Sequence, residues 1–374
     1  MDGVCVKIDA IRTEYYFAKA SPLSMMARVR TVPPCSSCAI AVALMRNRRD
    51  FIKALSATGL LTTGWAQARP ARDAWRMWND HYLQGGRVID HEQGGISHSE
   101  GQGYGLLLAQ AHGDEVTFRS IEHWTKQHLA IRQDRLMAWK WEPSKENNIT
   151  DWHNATDGDL FRAWALLRAA RDSGWHEYGE AATAIAHDIA DLCLAPDPRA
   201  PDRVLINPSY FMSRALRELG TAADEPRLIR SADHGETVLA ELAATGFLPN
   251  WVDVTRTGFA EPREHDTLWG YDALRIPLYL VWSGQKNHPA VALAQTLLGG
   301  SDIPDHLVVE TTSEGAIRAQ SNHPGYRAIH DFAACSSPLD FSSGGSQSDY
   351  YPDTLLLLVE VAMRETNCPR QERP

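Results

Sequence analysis

The chain has 374 residues, of which 44% are apolar, 22% charged and 9% aromatic. That composition holds enough apolar mass for a large core and excludes a disordered or low-complexity protein. A net charge of −10 argues against a dedicated nucleic-acid binder, which needs a basic surface to neutralise phosphates.

Residues 45–68, MRNRRDFIKALSATGLLTTGWAQA, have the layout of an export signal. Arg48 and Arg49 precede a short apolar run from Ala54 to Trp65, and Ala66-Gln67-Ala68 is a small-x-small cleavage site. The twin arginine points to the twin-arginine route, hence to a periplasmic or secreted protein. The apolar run is too short for a stable membrane span, and no other segment reaches the ~18 apolar residues a span needs. Residues 1–44 read as an extension upstream of a start at Met45. Their Cys35-Ser36-Ser37-Cys38 has CxxC spacing but neither a second CxxC nor a βαβ setting. Beyond Ala68 remain Cys193, Cys335 and Cys368, which allow at most one disulfide and leave the pair open.

From residue 69 to 374 the composition does not break. Apolar residues recur at three- and four-residue spacing over 72–84, 101–112, 115–130, 157–172, 177–194, 209–219, 227–244, 287–299 and 350–364, which predicts helices. Turn-rich connectors such as PSKENNITDWHNATDG separate them. Leu307-Val308-Val309-Glu310 is the best strand candidate. The reading is one all-α domain of about a dozen helices.

Three acidic motifs stand out in chain order. In Ser99-Glu100-Gly101-Gln102-Gly103-Tyr104-Gly105, Ser99 can cap a helix that carries Glu100 in its first turn. Three alternating glycines are costly in a helix, about 1 kcal/mol each relative to alanine. They imply a face that a packed backbone or a ligand must approach closely. In Asn154-Ala155-Thr156-Asp157-Gly158-Asp159, Thr156 or Asp157 can cap the next helix. The D-G-D also suits a calcium loop, but no EF-hand ligand spacing follows. In Trp269-Gly270-Tyr271-Asp272-Ala273-Leu274-Arg275, Asp272 and Arg275 are spaced i, i+3 on a helix. A neighbouring cation lowers a carboxyl's pKa, so Asp272 is expected to stay ionised, as a general base must.

Two carboxylates far apart in sequence, accompanied by aromatics, match the chemistry of glycoside hydrolysis. One protonates the leaving oxygen while the other activates water or attacks. Candidate sugar platforms are Trp139, Trp141, Tyr210, Trp251, Trp269 and Tyr271, each also a candidate core residue.

SEGQGYG at 99–105, MAWKW at 137–141, ATDGDLFRAWALL at 155–167, INPSYF at 206–211 and GYDALR at 270–275 resemble glycoside hydrolase family 8. Within that family they are similar to the periplasmic endoglucanases that accompany bacterial cellulose synthase. The resemblance implies an (α/α)6 barrel of about twelve helices and an inverting endo-β-1,4-glucanase with no metal cofactor. Its partner would be β-1,4-glucan, near the cellulose synthase complex. Position by position, Glu100 matches the general acid and Asp272 the general base. Asp157 matches the aspartate that binds and distorts the sugar, and Tyr271 and Arg275 match neighbours of the base. Trp139, Trp141, Tyr210 and Trp251 match cleft residues more loosely. The sequence departs from the family at Arg162, where Ile or Met is usual, and at Ser173, where an aromatic is usual and Trp175 stands two residues on. Glu100 also carries a tension, because a helix N-terminus lowers a carboxyl's pKa while a general acid needs it raised. Other readings are xylan or chitosan as substrate, a non-catalytic glucan-binding subunit, and an exported metal redox enzyme, for which no HExxH or Cys/His cluster appears.

Overall fold

Apolar residues without a polar face build the helices at the centre of this chain, and amphipathic helices cover them. The computed structural model describes residues 68–194, 203–263, 265–335, 349–366 and 368. The readings for residues 1–67, including the export signal and Cys35–Cys38, lie outside the described residues. Within them are eleven α-helices. These are α1 (Ala68–Tyr82), α2 (Ser99–Ala111), α3 (Glu115–His128), α4 (Thr156–Asp172), α5 (Gly179–Leu192) and α6 (Ser213–Ala222), then α7 (Pro226–Ala244), α8 (Arg275–Trp282), α9 (Pro289–Gly299), α10 (Pro324–Ala333) and α11 (Tyr350–Glu365). The protein is therefore all-α, as expected. Most residues of α2, α4, α8 and α11 are buried, and α8 is buried along its whole length. A helix apolar all round belongs in a core. The others bury one stripe each, as α3 does with Phe118, Ile121, Trp124 and Thr125.

Two helices escape the periodicity reading. α8, RIPLYLVW, has no polar face from which a period could be read. α10 begins Pro-Gly, which reads as a turn, but Pro at the first helical position has its φ preset and loses no hydrogen bond.

Short antiparallel ladders join the helices. β1 (Leu83–Gln84) pairs β2 (Arg87–Val88), and β3 (Ser97–His98) pairs β4 (Lys140–Trp141). β5 (Arg203–Ile206), β6 (Val252–Thr255) and β7 (Gly258–Ala260) form one sheet, and β8 (Leu307–Thr311) pairs β9 (Ile317–Ser321). The Leu307 strand is as expected. The β5–β7 sheet is not foreseen, because four-residue strands inside turn-rich connectors carry too little alternation to read.

The glycines of α2 prove to be packing devices. A Cβ on Gly103 would stand 2.9 Å from the Gly158 carbonyl oxygen, and one on Gly158 would stand 2.7 Å from the Ser99 carbonyl carbon. Backbone, not ligand, is what approaches here, and α2 and α4 lie together at their N-terminal ends. Arg162, the departure from the family pattern, is buried in a bidentate pair with Glu122, at 2.8 and 3.1 Å. Ser173 caps α4 and accepts from Gln110 at 3.0 Å, while the displaced Trp175 packs on Phe118. Cys335 and Cys368 form a disulfide, and Cys193 is free and buried.

Candidate active site

Each of the three sequence-predicted acids sits at the N-terminal end of a buried helix. Glu100 is the second residue of α2 and Asp157 the second of α4. Asp272 lies in the turn leading into α8, of which Arg275 is the first residue. Capping differs from the sequence reading. His98, not Ser99, caps α2. α4 follows Ala155 without a side-chain cap, and Asp157 accepts only the adjacent Gly158 N–H, at 2.8 Å, from its own helix. Asp157 is therefore free for another task.

Arg275, 1% exposed, gathers the three acids. Its Nη1 donates to Glu100 Oε2 and, at 3.2 Å, to Asp157 Oδ2; its Nη2 donates to Asp272 Oδ1 at 2.8 Å. Tyr104 Oη at 3.1 Å and Ser209 Oγ at 2.8 Å complete the fork. The planar guanidinium suits this, because its five donors fan out in fixed directions. Three carboxylates around one cation would leave two charges uncompensated in a buried site. Burial, with the charge of Glu100 adding to it and Arg275 opposing, pushes Asp157 up to about 8. Asp157 therefore carries a proton at neutral pH, within hydrogen-bonding reach of Glu100. At Asp272 the Arg275 charge acts in the expected direction but does not set the net shift. Burial moves its carboxyl above the ordinary range, Arg275 pulls the other way, and Asp157 adds to the rise. Asp159, the other acid of the D-G-D, faces elsewhere. It accepts the Met137 N–H at 2.8 Å and the Asn154 amide at 2.9 Å, which anchors the segment before Trp139.

The sequence matches the description "Glycosyl hydrolases family 8" over residues 49–365. The chain belongs to that family. It is 30% identical over 345 residues to a protein of Novacetimonas hansenii named "probable endoglucanase", covering 84% of this chain and 98% of the relative. Among solved structures it is similar to the endo-β-1,4-glucanase of Acetobacter xylinum, with TM-score 0.67, 28% identity, and 79% and 98% of the two chains covered. It is also similar to a family 8 endoglucanase of Klebsiella pneumoniae, with TM-score 0.71, 26% identity, and 78% and 99% covered.

The aromatic candidates of this family 8 chain divide. Tyr210 lies beside the acids, its ring centroid 5.8 Å from the Arg275 guanidinium, and meets Trp251 in a T-shaped contact. Trp251 is buried and stacked on His265, with centroids 4.4 Å apart. Tyr271 is half-buried against Tyr351, whose hydroxyl donates to the Tyr271 carbonyl. Trp139 donates from Nε1 to Asp151 at 2.9 Å, and its carbonyl accepts the Ser99 N–H at 2.8 Å. It thereby ties the α2 start to β4. The Trp141 face is covered by Arg87, 4.4 Å from the ring centroid. Trp269 is fully buried and belongs to the core. Sequence reasoning missed Ser209 and Tyr104 as partners of Arg275. Both stood inside quoted motifs, but a hydroxyl gives no spacing signal of its own. It also missed Asn250, whose Oδ1 accepts the Ala273 N–H at 3.0 Å and holds the Asp272 turn. Among the described residues no three His, Cys, Asp or Glu side chains converge as a metal site would require.

Proposed function

We propose that residues 69–374 form an (α/α)6-barrel domain and act as an inverting endo-β-1,4-glucanase on cellulose or soluble β-glucan, in the setting of bacterial cellulose synthesis. The observation that carries the reading is the convergence of Glu100, Asp157 and Asp272 on Arg275 at the N-terminal ends of three buried helices. The names of the relatives support the substrate class, and the two kinds of helix support the barrel. Export by the twin-arginine route rests on residues 45–68 alone.

In this reading Glu100 protonates the glycosidic oxygen as the bond to the anomeric carbon breaks. Asp272 takes a proton from water, which attacks that carbon from the opposite face. An inverting pair needs its carboxyls roughly 6.5–9.5 Å apart, so that one water fits between base and sugar. Asp157 grips and distorts the sugar at the cleavage point. Its proton, one hydrogen bond from Glu100, is the one that Glu100 passes on to the leaving oxygen. Arg275 holds the three carboxyls at fixed spacing before substrate arrives, so the geometry is paid for in folding rather than in each turnover. Tyr210, Tyr271, Trp139, Trp141 and Trp251 line or brace the glucan cleft.

Reducing-sugar release from carboxymethylcellulose, xylan and chitosan tests the substrate class, with the β-1,4-glucan expected to lead. Proton NMR of fresh hydrolysate should show the α-anomer first. Glu100→Gln and Asp272→Asn should each lose at least ~10²-fold while folding normally. An initial β-anomer would mean retention, and Asp272 as a water-activating base would have to be abandoned.

A further inference from the structure

His98 stands two residues before Glu100, is buried, and takes no part in the chemistry above. Its Nδ1 accepts the Gly101 N–H at 3.0 Å. A ring nitrogen that accepts carries no proton, so the hydrogen of the neutral ring is on Nε2. That nitrogen faces Asp90 Oδ2 at 3.4 Å. Asp90 is itself held by Gln93, whose N–H and side-chain amide donate to its two oxygens at 3.0 and 2.8 Å. The Asp90 backbone is tied as well, through bonds of 2.9 Å to Ile96 and Gly95. Across the ring, Tyr350 of α11 meets His98 edge-on with centroids 5.7 Å apart.

A serine, threonine, aspartate or asparagine is the usual helix cap, and each has its polar atoms at one end of a short side chain. Histidine has two separated nitrogens. Here one caps the helix that carries Glu100 while the other reaches the loop between β2 and β3. The first turn of α2 is thus tied to two elements, to β4 through the Ser99 bond to Trp139 and to the Asp90 loop through the ring.

We propose that His98, with Asp90 behind it, is a positioning residue that sets where the Glu100 carboxyl stands against the scissile oxygen; this rests on the assignment of Glu100 as the acid. Loss of the cap frees the turn that holds Glu100. A displacement of about 1 Å at a catalytic group can cost on the order of 10²-fold in rate.

The test compares two substrates, carboxymethylcellulose and 2,4-dinitrophenyl β-cellotrioside, whose leaving group departs without protonation. His98→Ala should lower kcat on the polymer by about tenfold to a hundredfold, and far less on the dinitrophenyl glycoside. His98→Asn keeps an oxygen able to cap Gly101 and should recover most of the polymer rate. Should His98→Ala not fold, Asp90→Ala is read in the same way, since it leaves the capping nitrogen but frees the ring. Equal losses on both substrates, or no loss on the polymer, overturn the inference. Glu100→Gln is the control. If it also fails on the dinitrophenyl glycoside, the acid assignment itself is wrong; if it is spared there and His98→Ala is not, the positioning role alone falls.

Discussion

Replacing Asp157 by Asn separates a structural carboxyl from a functional one, and the structure assigns a sign to each effect. Asp157 is held at about 8 in the folded protein against about 3.9 in an unfolded chain. A carboxyl raised in this way contributes its full stability below the unfolded value and loses it as pH climbs toward the folded one. Between those limits the folded state binds a proton that the unfolded state releases, so stability falls by about 1.4 kcal/mol per pH unit. From pH 5 to pH 7 that is close to 3 kcal/mol, to be read as an upper value because Arg275 and Glu100 readjust. Asn is isosteric, cannot ionise, and keeps an oxygen for the Gly158 N–H and an amide hydrogen for Glu100, but it has no second oxygen to accept from Arg275 as Asp157 Oδ2 does. Relative to wild type, Asp157→Asn should therefore gain up to about 3 kcal/mol of stability between pH 5 and pH 7. Turnover on soluble glucan should meanwhile drop on the order of 10²-fold or more, if the carboxyl grips the sugar in the transition state. Urea unfolding of both proteins at pH 5, 6 and 7, beside reducing-sugar assays, reads the two effects. A variant whose deficit grows with pH, or whose turnover stays near wild type, would refute the reasoning.

Two further outcomes follow from the same structure and sequence. Arg275→Lys keeps the charge but not the fork that reaches Glu100, Tyr104, Asp157, Ser209 and Asp272. It should cost on the order of 2 kcal/mol in denaturant unfolding, since hydrogen bonds to charged groups contribute about that much each, and it should lower kcat more than it raises KM. Replacing Arg48 and Arg49 by Lys should leave precursor in the cytoplasm, and fractionation showing unchanged periplasmic activity would remove the twin-arginine assignment.

Sequence alone carried the helical class, nine of the eleven described helices, and the three acids that the fold brings together on Arg275. Those features are local. Periodicity records which face of a helix meets the core, and a motif such as SEGQGYG keeps the glycines its backbone needs side by side. It carried no disulfide pairing, because three cysteines permit three pairs and distance in space chooses Cys335 with Cys368. The glycines themselves were legible as a close approach but not as an approach of α4, whose Gly158 lies 55 positions from Gly103.

Tertiary structure decided how the acids meet. Arg275 reads in sequence as a helical neighbour of Asp272, yet it also binds Glu100 and Asp157, which are 175 and 118 residues away. It decided which acid holds a proton as well. Asp157, Asp159 and Asp272 all look alike in sequence, and their titration depends on burial and on which charges stand beside them. The same holds for the aromatics. Whether a tryptophan face is open to a sugar, covered by Arg87 as in Trp141, or lost in the core as in Trp269 is settled by what packs against it. Local chemistry can be written in a few adjacent residues, whereas fields and contacts sum over every group that folding brings near.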